Sequence, residues 1–527
     1  MTRAATSASD ELTTLGAAEL ARRIVGGALS SREIVEAHIR RVEEVNPRVN
    51  AVVVRRFEEA LREAERVDAR RARGETLGPL GGVPFTVKES FDVRGLPTTM
   101  GLSARARRTA EEDAPTVARL RAAGAVLLGK TNVPQLVMLN EADNPVYGRT
   151  NNPWDAGRAT GGSSGGCAAA VASRCTPLSL GSDIGGSVRL PAHACGVHSL
   201  KPTSGRLTMR GHGAIFTGQE AVIAQPGPLA RRVEDLRLAL DILAATGDET
   251  FDPSCPPAPL RDPAEVSVEN LRVGFYTDNG VMRPGPAIRR AVEEAARALE
   301  ARGAAVEEWT PPGIEEAWGV YHRLMFADGT AGIRRDLRGS RRDWRLRQLV
   351  LMGLLPRALL RLGALEMSLA GQKHWAWAAR HLGRHSVEEY WALVARRDDY
   401  RARFLADWGA RGFDAVLCPV EALPAYTHGA SVYLSDSLSH TALYNLLGMP
   451  AGVVASTRVR AGEESDRVAG LDLCERMARK VERGSTGLPV GVQVAARHWR
   501  EDVVLAVMSA LEAHFRARPD YPVQSEQ

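Results

Sequence analysis

Gly161-Gly162-Ser163-Ser164-Gly165-Gly166 and Gly181-Ser182-Asp183-Ile184-Gly185-Gly186-Ser187 are the two stretches around which the rest of this chain falls into order. Ser187 follows Ser163 by 24 residues, and an alanine-rich run of helical character lies between them. Glycine pairs let the backbone take positive φ and approach a ligand closely. A serine at the end of such a turn presents its hydroxyl outward. The N–H groups of Ile184, Gly185, Gly186 and Ser187 can then converge on one oxygen, a nest suited to a tetrahedral oxyanion. A Gly/Ser stretch alone usually reads as a flexible loop. Here apolar, helix- or strand-like residues flank both stretches, and linkers do not usually sit between core elements. Neither stretch ends in the Gly-Lys-Ser/Thr of a P-loop or carries GxGxxG, so a phosphate cradle does not fit.

A serine hydroxyl is a poor nucleophile until something takes its proton. Twelve histidines are present, and His193 and His198 follow Ser187 closely, yet no Asp/His arrangement is distinctive. A lysine of depressed pKa is the other solution. Lys88 closes the apolar run Pro84-Phe85-Thr86-Val87, where desolvation favours the neutral amine. The bland alternative is a snorkelling surface lysine. Only five of the 68 basic residues are lysines, so a lysine here is more readily one chosen for losing its proton, which arginine cannot do.

Working outward, the first 75 residues read as helices, with a capping box at Ser30 and Glu33 ahead of Val35, Ile39 and Val42. Short apolar runs at 83–87, 125–128, 178–180, 273–276, 415–418, 451–455 and 490–495 read as strands, with helices over 115–123 and near 287–302. This alternation predicts a mixed, mostly parallel α/β sheet covered by helices on both faces. Residues 337–380, basic and leucine-rich, and the charged stretch 457–486 interrupt it. The latter reads as a surface excursion with a helix near 471–482. Residues 1–10 are small and polar and read as loosely held.

Composition narrows the function classes. With 44% hydrophobic and 25% charged residues over 527 positions, the chain is globular, and a net charge of +5 is too mild to argue for nucleic acid. The six cysteines form no CxxC and stand near no histidine cluster at zinc spacing, so no metal site is expected. Reduced thiols in a cytoplasmic protein are the expectation. No spanning helix and no secretory signal are read.

These motifs resemble the amidase signature family. The resemblance runs from about residue 15 to 515 and includes Gly129-Lys130-Thr131-Asn132-Val133-Pro134, Asn151-Asn152-Pro153-Trp154, both serine stretches, Leu200-Lys201-Pro202-Thr203 and Gly487-Leu488-Pro489-Val490-Gly491-Val492-Gln493. It implies a single domain over 11–520, a signature core over 75–210, no cofactor and a Ser–cis-Ser–Lys triad. By that resemblance Ser187 is the nucleophile, Ser163 the bridge and Lys88 the base. Ile184, Gly185 and Gly186 form the oxyanion segment, and Met138 contacts substrate. Lys130 and Lys201 fall at structural positions.

Asn132-Val133-Pro134-Gln135, Asp143-Asn144-Pro145-Val146-Tyr147-Gly148 and Leu443 to Val454 are most similar to the fatty acid amide hydrolase group. That implies a small-molecule amide with an apolar acyl chain. Leucines over 349–365, with Arg357 and Arg361, suit peripheral membrane contact through 345–365, a cover over an acyl channel, or a homodimer or core contact. A short-chain or aryl amidase, a glutamine-hydrolysing amidotransferase subunit and a non-catalytic binding protein are the other readings.

Overall fold

The computed structural model describes residues 8–213, 216–244, 247–468 and 470–523. The first seven strands are β1 (Val52–Arg55), β2 (Pro84–Lys88), β3 (Val126–Thr131), β4 (Asp143–Asn144), β5 (Gly148–Arg149), β6 (Leu178–Asp183) and β7 (His198–Lys201). The rest are β8 (Gln225–Ala230), β9 (Arg272–Phe275), β10 (Ala305–Glu308), β11 (Ala415–Pro419), β12 (Ala451–Arg458) and β13 (Pro489–Ala496). β4 and β5 pair only with each other. The other eleven strands form one sheet in the order β1-β3-β2-β6-β8-β7-β12-β13-β11-β9-β10.

The sheet is mixed, and helices cover both faces. β3, β2 and β6 run parallel on one flank, and β11, β9 and β10 on the other. From β6 through β8, β7, β12 and β13 to β11 every neighbour is antiparallel, as is β1 with β3. The expected parallel pairing therefore describes the flanks rather than the middle. β7 and β8 account for much of that difference. β8 is Gln-Pro-Gly-Pro-Leu-Ala, and its prolines and glycine argue against a strand in sequence. The glycine serves close packing, since a Cβ on Gly227 would lie 2.3 Å from Leu200 O on the neighbouring strand.

Alternation along the strands sorts side chains to the two faces. Phe85, Val87, Val490, Val492 and Val494 join an apolar cluster with helices Val233–Leu243, Pro286–Glu300 and Glu501–Arg516. On the opposite face Leu229 and Val453 meet helices Gly165–Ala172 and Arg189–Cys195. Lys88, next to Val87, points to this second side.

Both halves of the capping box at Ser30 are formed, starting helix Ser31–Val49. Val52–Arg55 departs from the helical reading of the first 75 residues, because its β-branched run pairs with β3 ahead of helix Phe57–Ala72. Of the segment 1–10, residues 1–7 lie outside the described residues, and helix Ala8–Thr14 begins within it. Residues 337–380 contain three helices, Leu346–Leu354, Arg357–Leu369 and Lys373–His381, the first two carrying the leucines on either side of Pro356. Leu346, Val350, Leu360 and Ala364 turn inward, while Leu351, Leu354, Leu359, Leu362, Leu365 and Leu369 stand exposed. The 457–486 stretch is docked more firmly than its charge suggests. Ala478 and Val481 of helix Leu473–Glu482 are buried, and Arg467 pairs with Glu475 and Glu482. Among the described residues, no helix is long and apolar enough to cross a membrane.

Candidate active site

β2 and β6 lie side by side with Val87 opposite Leu180, so Lys88 ends its strand beside the turn that leads to Ser187. Lys88 is fully buried. Its Nζ lies 2.7 Å from Ser163 Oγ, 3.0 Å from Ser182 Oγ and 3.3 Å from Ser182 O. Among the described residues no carboxylate pairs with it, and burial lowers its pKa to about 7 against weaker upward pulls from Cys167 and Asp183. Lys130 and Lys201 are also buried and lowered. However, Lys130 donates to Pro97 O and Thr98 Oγ1, and Lys201 to Pro202 O. Of the three, only Lys88 reaches a serine of the glycine-flanked stretches.

Ser163 follows a cis peptide bond from Gly162. The Gly162 N–H donates to Asn140 Oδ1 at 2.7 Å. There is no room for side chains here. A Cβ on Gly162 would lie 2.3 Å from Leu139 O, and one on Gly166 2.3 Å from Asn132 N. Main chain also ties the two serine stretches together, through the Ser164 N–H donating to Ser187 O at 3.0 Å.

Ser187 is partly exposed, and its hydroxyl makes no hydrogen bond with a described residue. It shares with Ser163, Ile184 and Gly185 the wall of a cavity of about 400 Å³. Of the four N–H groups expected in the oxyanion segment, that of Gly186 is committed to Asp183 Oδ1 at 2.7 Å. Those of Ile184, Gly185 and Ser187 find no acceptor among the described residues. Three N–H groups of this segment are therefore left open among the described residues, while that of Gly186 is used within the turn. Tyr321 Oη donates to Ile184 O at 3.2 Å and Thr441 Oγ1 to Gly185 O at 2.9 Å, which fixes the peptide planes.

Sequence reasoning missed what holds this turn. Asp183 takes two bonds from Arg189, at 2.9 and 3.1 Å, and others from the N–H groups of Gly186 and Val188 and from Asn445. Arg189 continues to Thr441 O, Gln493 Oε1 and Asn445 Oδ1. The guanidinium and these donors hold the Asp183 carboxyl below the usual carboxylate range despite complete burial. The acid in Gly-Ser-Asp and the arginine six residues on are visible signals, but Thr441, Asn445 and Gln493, which complete the contacts of Arg189, lie far along the chain.

Met138 lines the cavity, and Phe216, Met325, Trp318 and Ile223 make its lining largely apolar. No group of three or more His, Cys, Asp or Glu among the described residues could hold a metal. All six cysteines are buried and unpaired.

An α/β body that buries a lysine against a serine, beside a second serine and free backbone donors, is built like an enzyme that attacks a carbonyl. Comparison with known proteins makes this specific. The Amidase family model matches residues 33–505. Over 514 residues the chain is 34% identical to a fatty-acid amide hydrolase 1 of Sus scrofa, covering 96% of this chain and 86% of that protein. An acylamidase of Rhodococcus erythropolis is 34% identical, with 95% of each chain covered. A solved fatty acid amide hydrolase structure superposes with a TM-score of 0.83 at 28% identity, covering 96% of this chain and 86% of that one. The chain belongs to the amidase family, and it is an amide hydrolase.

Proposed function

We propose that this amidase hydrolyses fatty acid amides or N-acyl amines through an acyl-enzyme on Ser187, with Ser163 as proton bridge and Lys88 as base. The observation that carries the reading is the 2.7 Å contact of a water-excluded Lys88 amine with Ser163, at the wall of the apolar cavity that also holds Ser187. Neutral Lys88 takes the Ser163 proton as Ser163 takes that of Ser187. Ser187 then attacks the amide carbonyl, and the N–H groups of Ile184, Gly185 and Ser187 meet the oxyanion. The proton returns by the same route to the departing amine, and water releases the acyl group. The cavity's apolar lining supports an apolar acyl group.

The exposed leucines of the insertion support peripheral contact with lipid. Leu362 and Leu365 are each 60% exposed and Leu369 is 83% exposed, a patch that costs free energy in water and is relieved by a bilayer surface. Hydrolysis of amides from acetamide to long-chain N-acyl ethanolamides, with and without vesicles, tests the reading. Rates rising with chain length and with vesicles are expected. Preference for acetamide would overturn the fatty-amide assignment.

A further inference from the structure

Behind Lys88 a second branch of hydrogen bonds leads away from Ser163. Ser182 Oγ, 3.0 Å from Lys88 Nζ, lies 2.8 Å from His212 Nε2. The same ring nitrogen is 2.8 Å from Ser90 Oγ. The ring is fixed in place. Phe91 meets it edge-on at 4.7 Å between centroids, and the Asp92 and Gly213 N–H groups donate to Gly211 O and Ser90 O around it. His212 also lines the substrate cavity and, on its other side, a polar surface groove with Asp92, Asp113 and Arg210.

The direction of these bonds follows from what Lys88 has to do. An amine whose lone pair is kept for the Ser163 proton can offer Ser182 only its N–H groups. The Ser182 hydroxyl then accepts from Lys88, and its own proton needs an acceptor elsewhere. A neutral imidazole supplies one at Nε2. Without it, the Ser182 O–H can turn and donate to the Lys88 lone pair, blocking the base.

We propose that His212 is a positioning residue of the relay, holding the Ser182 hydroxyl so that the Lys88 lone pair faces Ser163. The proposal rests on the Lys88–Ser163–Ser187 reading above. His212 does not touch the reacting atoms.

The test follows the rate of Ser187 labelling by a fluorophosphonate, alongside kcat and KM. His212→Leu is expected to lower labelling and kcat about tenfold to hundredfold, with KM within about threefold. His212→Gln, whose amide oxygen can accept the same bond, is expected to recover most of the rate. Ser182→Ala reads the same link from a second position. The double variant should be no slower than the slower single variant, since both act through one contact. A His212→Leu enzyme with wild-type labelling, no rescue by glutamine, or additive losses would overturn the proposal. If instead Lys88→Ala keeps wild-type turnover, it is the underlying triad that fails.

Discussion

Asp183 and Arg189 form a two-pronged ion pair, neither side chain reaching solvent, directly beneath the turn that presents Ser187. Charge in such a place is costly unless its lone pairs and protons are used, and here Asn445, Gln493, Thr441 O and two main-chain N–H groups supply the further bonds. Removing one partner leaves the other charged and unpaired. Asp183→Asn is therefore expected to destabilise the fold by about 3–5 kcal/mol and to slow Ser187 labelling in the protein that remains folded. Thermal melting and fluorophosphonate labelling check this. An unchanged Tm would remove the claim.

Lysine and arginine are not interchangeable at position 88. Arginine keeps the positive charge but does not give up its proton near neutral pH. Lys88→Arg is expected to lose about a thousandfold or more in kcat, as is Ser187→Ala. Lys480→Arg, a change between the same two residue types outside the site, should leave kcat as it is. Steady-state kinetics on one amide decide the matter.

The pH dependence has a definite sign. Lys88 must be neutral to accept a proton, and its pKa is lowered to about 7 by burial. Below that value the ammonium form dominates and the relay is blocked, while above it the amine is free. kcat/KM is expected to climb through about pH 7 and then level off. A profile flat from pH 5 to 9 would contradict the assignment of Lys88 as base.

The leucine face is separable from the chemistry. Replacing Leu359, Leu362 and Leu365 by serine removes exposed apolar surface, so each change should move stability by no more than about 0.5 kcal/mol. Co-sedimentation with anionic vesicles should fall at least about tenfold, with turnover of a short soluble amide preserved. Undiminished sedimentation would rule out this face as the lipid contact.

Much of this architecture was legible because local pattern and tertiary role agree. The apolar runs of β2, β3, β6, β11, β12 and β13 were read within a few residues of their ends, and the Ser30 capping box is formed as written. β8 was hidden because two prolines and a glycine oppose a strand locally, and its place comes from its neighbours. At the site, lysine scarcity pointed to Lys88 but equally to Lys130 and Lys201, since all three are buried. The contact with Ser163 separates them, and spacing along the chain does not contain it. His212 escaped notice for a similar reason. No carboxylate or nucleophile stands beside it in sequence, and it reaches Lys88 through the intervening hydroxyl of Ser182.

The crowding at Gly162 and Gly166 sets where this enzyme can be altered. Even a methyl group at either position would collide with backbone atoms that cannot step aside. Substitution at either glycine is therefore a poor route to new activity. Phe216, Trp318 and Met325 line the same cavity as Ser163 and Ser187 and lie outside the glycine stretches. New acyl preferences should be sought there, where a change of volume reshapes the chamber and leaves the serines undisturbed.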